Sequence, residues 1–527
     1  MEQNQPAPNT RRIAIDPVSR VEGHGKITLL LDQDNHVQEA RLHIVEFRGF
    51  EKFIQGRPYT EVPYFVQRLC GICPVSHHLA AAKAVDQIVG VDELTPSATK
   101  LRRLLHFGQV LQSHALHFFH LSSPDFLFGF GSNLAHRNIV GVLEDHPDLA
   151  LKGVKLRKYG QQVIAAIAGK RIHGTAAIPG GMNKSLSNDE RKVLLGDIAD
   201  IIAWSQDAVA LNETIHLQHP ENHAFATLST NYLGMVGSQG EMELYHGGLR
   251  ARQADGSEIF DQFDYTQYGS AIREEVRNWS YMKFPYLTAI GKDKGWYRVG
   301  PLARVNLCDS IPTPLAEAAR VRFRAFAGGA YVHDTLAYHW ARMIEMLHCA
   351  EAIQELLNDP DITGTDLVVH GEKRAQGIGV IEAPRGTLFH HYQVNEQGLI
   401  EKANLIVSTT SNNQAMNESV RSVANHYLDG QEITEGLLNH LEVAVRAYDP
   451  CLSCATHALG KMPLQVELFS HNGELLSRAT KNSDGCAVTP HPLAPSPSRG
   501  EGEQEIQSLS PSPLEGRPCK GLGAGLG

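Results

Sequence analysis

The chain has 527 residues and a net charge of −10 at neutral pH, with 42% hydrophobic and 20% charged residues. This composition is typical of a globular protein, and the negative charge argues against a nucleic-acid or anionic-membrane partner. No stretch approaches the roughly 18 apolar residues of a membrane span, and the start lacks the apolar core of a signal peptide. Eight cysteines are too few for a disulfide scaffold. We therefore expect a cytoplasmic protein with no transmembrane segment.

The N-terminal part predicts a β-hairpin. Residues 1–11 are polar and are expected to be disordered. Two β-rich runs, Lys26 to Leu31 and Val37 to Glu46, flank the polar turn Asp32 to His36. Alternating apolar residues on both sides of such a turn are typical of paired antiparallel strands.

The first helix is expected to begin next to two cysteines. Pro74 is suited to the first turn of a helix, the run His78 to Val89 consists of helix formers, and Gly90 follows it. Cys70 and Cys73 therefore stand at or just before a helix N-terminus. The helix dipole and the free N–H groups there favour a thiolate over a thiol.

Helical spacing of apolar residues recurs further along the chain. It predicts helices over Ser97 to Leu121, Asp189 to His216, Pro314 to Leu357 with an interruption at Gly328-Gly329, and Ile433 to Ala447. His114, His117 and His120 recur along the first of these, and we interpret them as packed core groups rather than metal ligands. Ala403 to Thr410 predicts a buried strand. Asp449-Pro450 ends the last helix and is expected to continue as an extended turn.

The C-terminal part changes in composition after His457. Gln465 to Phe469 and Glu474 to Ser477 flank Asn472-Gly473 and predict a second hairpin. From about Ser483 the chain is rich in Pro, Ser and Gly. Such a segment cannot bury enough apolar surface to offset its ordering entropy, so we expect disorder there.

Two Cys-x-x-Cys pairs, Cys70 with Cys73 and Cys451 with Cys454, are the strongest chemical signal. Together they can provide four soft, anionic thiolate ligands to one metal site. Zinc ribbons separate their two pairs by roughly 15 to 20 residues. Here several hundred residues intervene, which favours a site other than a structural zinc.

The flanks of these pairs resemble those of a known family, the large subunit of nickel-iron hydrogenases. The resemblance is carried by Arg68 to His77 and Asp449 to His457, and also by Asp16 to Gly25, Phe47 to Glu51, Gly300 to Arg304 and Glu382 to Gly386. The residues of the last cysteine motif, Asp449 to His457, are most similar to those of the cytoplasmic, bidirectional, NAD-linked branch. At position 113, directly before His114, this chain has a serine, whereas an aspartate is expected at the matching position of the uptake enzymes.

The resemblance implies a fold and a domain plan. The fold class is mainly α with smaller β elements (α+β), with long central helices and an N-terminal β-hairpin. Residues 12–457 would form the catalytic domain. Residues 458–527 would be a C-terminal extension that is removed on maturation, disordered from about residue 483.

The resemblance also assigns the four cysteines. Cys70 and Cys451 would be terminal ligands of nickel, while Cys73 and Cys454 would bridge nickel to an iron that carries cyanide and carbon monoxide. Such a site splits dihydrogen heterolytically, so the released proton needs a base.

Further roles are implied for groups around the metals. Glu22 would be the first proton acceptor, next to the thiolate of Cys451. Arg385 would overhang the open coordination position and Asp449 would hold it there, while Thr409 would donate a hydrogen bond to a cyanide. A magnesium site is implied as well, formed by Glu51, the carbonyl of Leu405 and His457.

The implied enzyme transfers electrons through an iron-sulfur small subunit to flavin- and NAD-binding diaphorase subunits that carry FMN, NAD and further iron-sulfur clusters. No Gly-x-Gly-x-x-Gly opens a helix after a strand in this sequence, so another subunit must hold the nicotinamide. A nickel-insertion chaperone and a C-terminal maturation protease are the further partners.

Three alternatives remain open. The final acceptor could be of the F420 type or ferredoxin-linked, since it is bound elsewhere. A hydrogen-sensing regulatory hydrogenase would use the same ligands but usually lacks a removable extension. A structural quinone-site subunit of a respiratory complex would have lost the cysteine pairs, and all four cysteines are present.

Overall fold

The computed structural model describes residues 11–45, 49–277, 279–456, 464–469, 475–481 and 487–488. Contacts divide the chain into a large unit, Met1–Pro463 with Asn482–Cys486, and a small unit, Leu464–Lys481 with Ala487–Gly527. All predicted site residues except His457 lie in the described part of the large unit. None of the described helices is long and apolar enough to cross a membrane.

The helices, in chain order, are α1 (Phe50–Phe53), α2 (Val62–Phe65), α3 (Pro74–Ile88), α4 (Pro96–Leu116), α5 (Ser123–Phe128), α6 (Ile139–Asp145), α7 (Pro147–Ala168), α8 (Asn188–Gln218), α9 (Tyr268–Ala271), α10 (Pro301–Leu307), α11 (Pro314–Phe326), α12 (Ala337–Asn358), α13 (Ser408–Ser411), α14 (Asn413–Val423) and α15 (Glu435–Arg446).

The strands are β1 (Arg11–Ile15), β2 (Gly25–Leu31), β3 (Val37–Ile44), β4 (Ala177–Ile178), β5 (Gly181–Met182), β6 (Asn231–Val236), β7 (Gly248–Arg252), β8 (Glu258–Phe263), β9 (Ile272–Glu275), β10 (Phe284–Leu287), β11 (Tyr297–Arg298), β12 (Gln376–Ala383), β13 (Gly386–Val394), β14 (Ile400–Ile406), β15 (Leu464–Phe469), β16 (Leu475–Lys481) and β17 (Ala487–Val488).

The long helices form the centre of the large unit. Helix α4 packs against α7 and α12, and α12 also packs against α8. Helix α12 is buried almost all round, as expected for a helix enclosed by other helices. The predicted helices that correspond to α3, α4, α8 and α15 are confirmed. The pattern over 314–357 is two helices, because the chain turns at Gly328 and Gly329, both of which have positive φ.

The N-terminal hairpin is confirmed and forms part of a larger sheet. Strands β2 and β3 pair in antiparallel register, and β1 adds a third strand on the other edge of β2. Strand β1 was not predicted, and it begins at Arg11, so the disorder expected over residues 1–11 does not extend to that residue. The mainly α fold with smaller β elements is confirmed, although the β part is larger than predicted.

A three-stranded antiparallel sheet, β12-β13-β14, lies against α3. A Cβ at Gly379 would lie 2.0 Å from the carbonyl oxygen of Ala80, so glycine is required where β12 crosses the helix. Arg385 lies in the tight turn between β12 and β13. The strand predicted over 403–410 ends at Ile406, and Thr409 is on the short helix α13.

The small unit contains a three-stranded antiparallel sheet, β15-β16-β17. Its first two strands match the predicted second hairpin, whose turn Asn472-Gly473 lies outside the described residues. Of the segment predicted to be disordered from about Ser483, the structure describes only Ala487–Val488, which pair with β16, and the disorder stays a prediction. The rest of that prediction lies outside the described residues.

Candidate metal centre

The two Cys-x-x-Cys pairs meet in the interior of the large unit. One sulfur each from Cys70, Cys73, Cys451 and Cys454 lies within 4.8 Å of the other three. Cys70 Sγ and Cys451 Sγ, one from each pair, are separated by 3.4 Å. All four side chains are buried. The sequence predicted this convergence, and the geometry confirms it.

The first pair is held by the chain segment around it. Cys73 is the N-cap residue of α3, and Cys70, three residues earlier in the chain, has an extended backbone. The sulfur of Cys70 accepts hydrogen bonds from the backbone N–H groups of Ile72 and Cys73 at 3.2 and 3.1 Å. These two contacts fix the position of the Cys70 sulfur relative to the start of α3.

The second pair is held by contacts from distant parts of the chain. Helix α15 ends at Arg446, and Asp449 then adopts a left-handed conformation with φ of 52°. The extended turn predicted at this point is therefore wrong, because the chain reverses at Asp449 to direct Cys451 inward. The backbone N–H of Cys451 donates to Thr409 Oγ1 at 3.0 Å, and the Cys454 thiol donates to the Leu69 carbonyl at 3.3 Å.

Glu22 contacts the second pair directly. Its carboxylate oxygen Oε2 lies 3.0 Å from Cys451 Sγ and also accepts from the backbone N–H of Ser453 at 3.2 Å. The Ser453 hydroxyl donates to the other oxygen, Oε1. The two backbones are bridged as well, because the N–H of Leu452 donates to the Glu22 carbonyl at 2.9 Å.

A glycine permits this close approach of the N-terminal segment. Gly23 has φ of +83°, and a Cβ there would lie 2.7 Å from the backbone nitrogen of Ser453. Any side chain would therefore be strained and would push against the turn that carries Cys451 and Cys454.

Arg385 is buried beside the cysteines and pairs with Asp449. Its Nε donates to the Asp449 carbonyl at 2.6 Å, and its Nη2 donates to Asp449 Oδ1 at 3.0 Å. Within the described residues, Arg385 Nη1 and Asp449 Oδ2 are buried without a hydrogen-bond partner. Arg385 and Thr409 line one cavity together with Cys73, Cys451 and Cys454. The guanidinium therefore has a donor available for a group bound there.

Buried charge around Asp449 shifts several pKa values. Burial raises the pKa of Asp449 to about 6, against the attraction of Arg385 and Arg342. Burial opposes the charge of Arg385 as well, but Asp449 and the cysteine sulfurs hold its pKa well above the usual range. Burial lowers the pKa of Arg342 to about 10. Arg342, whose Nη2 donates to the Ala447 carbonyl at 3.0 Å, was not identified from the sequence.

The pKa of Cys73 and the pKa values of the second pair are shifted in opposite directions. Hydrogen bonds from Cys451, and then from Cys454 and Cys70, lower the pKa of Cys73 well below its usual value. Burial raises the pKa of Cys451 and of Cys454. A group of sulfurs this close cannot carry four negative charges without a cation to balance them. The donor set therefore fits a soft transition-metal centre.

His114 on α4 and His117 at the start of the π-helical segment His117–Ser122 that follows it are not members of this centre. His114 Nε2 lies 2.8 Å from Glu345 Oε1, and His117 Nε2 lies 2.8 Å from the Arg446 carbonyl. Glu345 also pairs with Arg304, which in turn pairs with Glu382 at 2.7 Å. The interpretation of His114 and His117 as packed core groups is confirmed. This buried ion network was missed, because nothing in the spacing of its members connects them.

A line of buried rings leads away from Cys73. His77 Nδ1 lies 3.1 Å from His390 Nε2, and His390 Nδ1 lies 2.5 Å from the hydroxyl of Tyr392. His77 is on α3, whereas His390 and Tyr392 are on β13. The sequence places His77 next to the cysteines but does not predict its partners.

The structure brings together two of the three groups predicted to bind magnesium. Glu51 is buried, and its Oε1 accepts from the backbone N–H of Leu405 at 2.8 Å. Both residues line a small cavity next to Cys454 and Thr456. His457 lies outside the described residues.

Two known protein families match the sequence. A family described as "Nickel-dependent hydrogenase" matches residues 48–128 and 240–457. A second family, described as "HoxL-like", matches residues 12–47. The two matches together include the predicted site residues Glu22, Glu51, Arg385 and the four cysteines.

The chain is 49% identical to the NAD-reducing hydrogenase HoxS subunit beta of Cupriavidus necator, over 90% of this chain and 100% of that protein. It is 41% identical to a subunit of the F420-non-reducing hydrogenase of Methanothermobacter marburgensis, over 89% and 99%. The crystal structure of an NAD+-reducing [NiFe]-hydrogenase in the H2-reduced state has 56% sequence identity and a TM-score of 0.84, over 85% of this chain and 99% of that one.

Proposed function

Because the chain belongs to the nickel-dependent hydrogenase family, we propose that it is the catalytic subunit of an enzyme that cleaves dihydrogen reversibly and passes the electrons to NAD or NADP. The observation that supports this most strongly is the meeting of four buried cysteine sulfurs with one carboxylate, that of Glu22. The thiolates suit a redox metal, and the carboxylate suits a proton acceptor.

In this proposal Cys70 and Cys451 would each hold nickel, and Cys73 and Cys454 would hold nickel and iron together. The iron would carry cyanide and carbon monoxide, with Thr409 as a hydrogen-bond donor to a cyanide. When bound, the nickel-iron pair supplies an open position at which dihydrogen is polarised and split heterolytically. The buried cavity that Thr409 lines with three of the cysteines supports this arrangement, because it could hold the cyanide and carbon monoxide ligands away from water.

The proton leaves through Glu22. Its Oε2 is 3.0 Å from Cys451 Sγ, within reach for direct transfer from the thiol. The two donors of Ser453 hold the carboxylate against the cysteine. Because Glu22 is only partly buried, whereas Cys451 is fully buried, the residue connects the centre to the outer part of the chain.

Arg385 contributes fixed positive charge above the cysteines. Two hydrogen bonds to Asp449 orient the planar guanidinium of Arg385. Its Nη1 makes no hydrogen bond within the described residues and can therefore donate to a bound group. A guanidinium that is already oriented can stabilise the charge that develops when dihydrogen is cleaved, because it does not have to move during the reaction. Asp449 acts through Arg385 and is a positioning residue.

Glu51, the Leu405 carbonyl and His457 are proposed to bind magnesium. The contact between Glu51 and the backbone of Leu405 supports a shared site at the inner end of β14. Carboxylate and carbonyl oxygens suit a hard cation. The ion would join the N-terminal helix α1 to the end of the catalytic domain.

The NAD linkage is supported by the names of the relatives with 49% and 56% identity. The electrons would pass through an iron-sulfur small subunit to flavin- and NAD-binding diaphorase subunits. A different final acceptor, of the F420 type or ferredoxin-linked, is the second candidate. Hydrogenases named as F420-non-reducing, with about 40% identity, match nearly the whole chain, which within this candidate favours an acceptor other than F420. A hydrogen sensor is the third.

We further propose that the catalytic domain spans residues 12–457 and that a maturation protease removes residues 458–527 after a chaperone has delivered nickel. The match to the nickel-dependent hydrogenase family ends at residue 457. The contact boundary between the two units lies close by, after Pro463. While the extension is attached, the second cysteine pair sits on a continuing chain. The pair already lies beside the first pair, so removal of the extension would fix this closed arrangement around the loaded metals. We also expect a cytoplasmic location.

The test of function is the metal and ligand content of the purified complex. We expect about one nickel and one iron per chain, infrared bands of cyanide and carbon monoxide, and hydrogen-dependent reduction of NAD. Cys451→Ser should lose the nickel, whereas Cys349→Ser, a buried cysteine outside the centre, should keep it. Zinc bound by all four cysteines, with no response to hydrogen, would contradict the assignment.

The alternatives are separated by the acceptor and the rate. Reduction of an F420-type cofactor or ferredoxin but not of NAD would favour the second candidate. Bound nickel and iron with negligible turnover would favour a sensor.

The proposed maturation is tested by the intact mass of the chain, which should end at His457 in the metal-loaded enzyme. A stop codon after His457 should remove the need for the protease. Metal-loaded active enzyme that still contains Gly527 would rule out cleavage.

A further inference from the structure

A second group of potential metal ligands lies at the end of α8, apart from the cysteines. His216, His223 and Asp334 each offer one ligand atom, and these three atoms lie within 4.8 Å of one another. We propose that these residues form a second metal site, which binds a divalent transition cation, with Zn2+ as the best chemical match. The site is independent of the proposed nickel-iron centre.

Two of the three ligand atoms are buried without a hydrogen bond. His216 Nε2 and Asp334 Oδ2 are 3.2 Å apart, yet neither has a hydrogen-bond partner in the part of the chain that the structure describes. The side chains are only 5% and 15% exposed. The two atoms contact each other as an ion pair, but the contact lacks hydrogen-bond geometry, so both atoms can bind a third group better than they bind each other. A cation between them is such a group.

The third ligand is oriented by its other nitrogen. His223 Nε2 donates to the backbone carbonyl of His216 at 2.8 Å. The lone pair of His223 is therefore on Nδ1, which leaves that atom to bind a cation. A histidine that ligates a metal usually donates its second ring N–H to a carbonyl or carboxylate in this way.

The rings around the site hold the ligands in place. The His216 and His223 rings are stacked with centroids 4.7 Å apart and planes inclined by 26°. The Phe326 ring packs with its edge toward both, at 4.9 and 5.0 Å. Such packing restricts rotation of the imidazole rings, so the ligands lose little conformational entropy when a cation binds.

The ligand types indicate which cation fits. Two imidazoles and one carboxylate suit zinc and other borderline transition metals, whereas magnesium and calcium prefer oxygen ligands. Zinc sites with three protein ligands commonly take a water molecule in the fourth position. The cation would connect the C-terminal end of α8 to the segment that precedes α12. Its expected role is structural.

The test begins with the intact purified complex. After dialysis against a chelator, added Zn2+ should bind at about one ion per chain and raise the unfolding temperature. Asp334→Asn and His223→Gln should each weaken zinc binding by more than about 100-fold, because loss of an outer-shell partner alone costs roughly 10 to 100-fold. Nickel and iron content and hydrogen oxidation should be unchanged in both variants.

The control variant is His219→Gln. His219 is an exposed histidine close to the site in sequence, but it pairs with Glu221 and is not a member of the group. This variant should bind zinc like the wild type. Zinc-edge X-ray absorption should show only nitrogen and oxygen neighbours at about 2.0–2.2 Å, whereas zinc in the four-cysteine site would show sulfur at about 2.3 Å.

Two results would overturn the proposal. One is a failure of Zn2+ to bind or to shift the unfolding temperature of the wild type, which would leave His216 and Asp334 as an ordinary ion pair. The other is equal zinc binding in the wild type, Asp334→Asn and His223→Gln. Neither result bears on the nickel-iron assignment, which is tested by infrared bands and hydrogen turnover.

Discussion

The two Cys-x-x-Cys pairs have the same spacing but are held in different ways. Cys70 and Cys73 are held by the start of α3 and by N–H groups within three residues of them. Cys451 and Cys454 are held by Glu22, Thr409 and the carbonyl of Leu69, all distant in sequence. The sulfur of Cys70 is therefore oriented locally, although Gln109, Gln112 and His173 bind the backbone of this segment, whereas the second pair is positioned entirely by distant residues.

This difference has a consequence for how the site is built. The first pair can bind a metal before the second pair is in place, because the N–H groups that orient the Cys70 sulfur belong to its own segment. The second pair needs the left-handed turn at Asp449 and the backbone bridge to Glu22. A late closure of the second pair over the metals agrees with the proposed removal of the C-terminal extension.

The largest expected effect comes from the carboxylate that contacts the second pair. Glu22→Gln keeps the shape and some hydrogen bonding but removes the group that accepts a proton from Cys451. General-base catalysis is worth roughly 100 to 10,000-fold, and we expect a loss near the top of that range. Hydrogen-deuterium exchange and nickel content measure the effect, and nickel should stay bound because Glu22 is not a ligand.

The matched control is Glu39→Gln, which changes a glutamate of strand β3 that pairs with Arg41. It should leave both exchange and nickel content at the wild-type level. If Glu22→Gln retained more than about a tenth of wild-type exchange with full nickel, the proton would leave by another route.

A smaller loss is expected for the guanidinium above the cysteines. Arg385→Lys keeps the charge but cannot make both hydrogen bonds to Asp449, so the charge is no longer fixed in position. Removal of one preorganised donor costs roughly 100 to 1,000-fold in turnover. Arg374→Lys, in an exposed pair with Asp92, is the control and should have no effect. Normal turnover in Arg385→Lys would contradict the assigned role.

Substitution of Gly23 tests whether the second pair depends on distant contacts. Gly23→Ala forces a left-handed alanine, which costs about 1–2 kcal/mol, and its methyl group would also press on Ser453. We expect a lower free energy of unfolding and a lower nickel content. Gly56→Ala is the control, because Gly56 has a similar φ of +78° but nothing within 4 Å of the added Cβ. Equal nickel contents in the two variants would show that the contact is unimportant.

The smallest effect is expected at the first pair. Gly71 lies between Cys70 and Cys73, is exposed, and has nothing within 4 Å of an added Cβ. Gly71→Ala should keep full nickel content and should change the free energy of unfolding by no more than about 1 kcal/mol. Metal analysis and denaturant unfolding check this. A nickel loss as large as that of Gly23→Ala would remove the distinction between a local and a tertiary pair.

Much of the site could be predicted because its residues lie in short motifs. The spacing of Cys70 and Cys73 before a helix start indicates their geometry directly, and the resemblance identified Glu22, Arg385 and Asp449. The helices α3, α4 and α8 were predictable because their apolar periodicity continues over several turns. The turn after α15 was not, because the left-handed conformation of Asp449 depends on its distant partner Arg385.

The sequence by itself determined the identity of the metal-binding groups, the long helices and the N-terminal hairpin, since each depends on neighbouring residues. The tertiary structure alone decided which atoms meet. The approach of Ser453 to Glu22, the partnership of Arg342 with the Ala447 carbonyl, and the grouping of His216 with Asp334 all join segments that are far apart in the chain. Such contacts depend on how buried surfaces pack, and no local pattern of residue types records that packing.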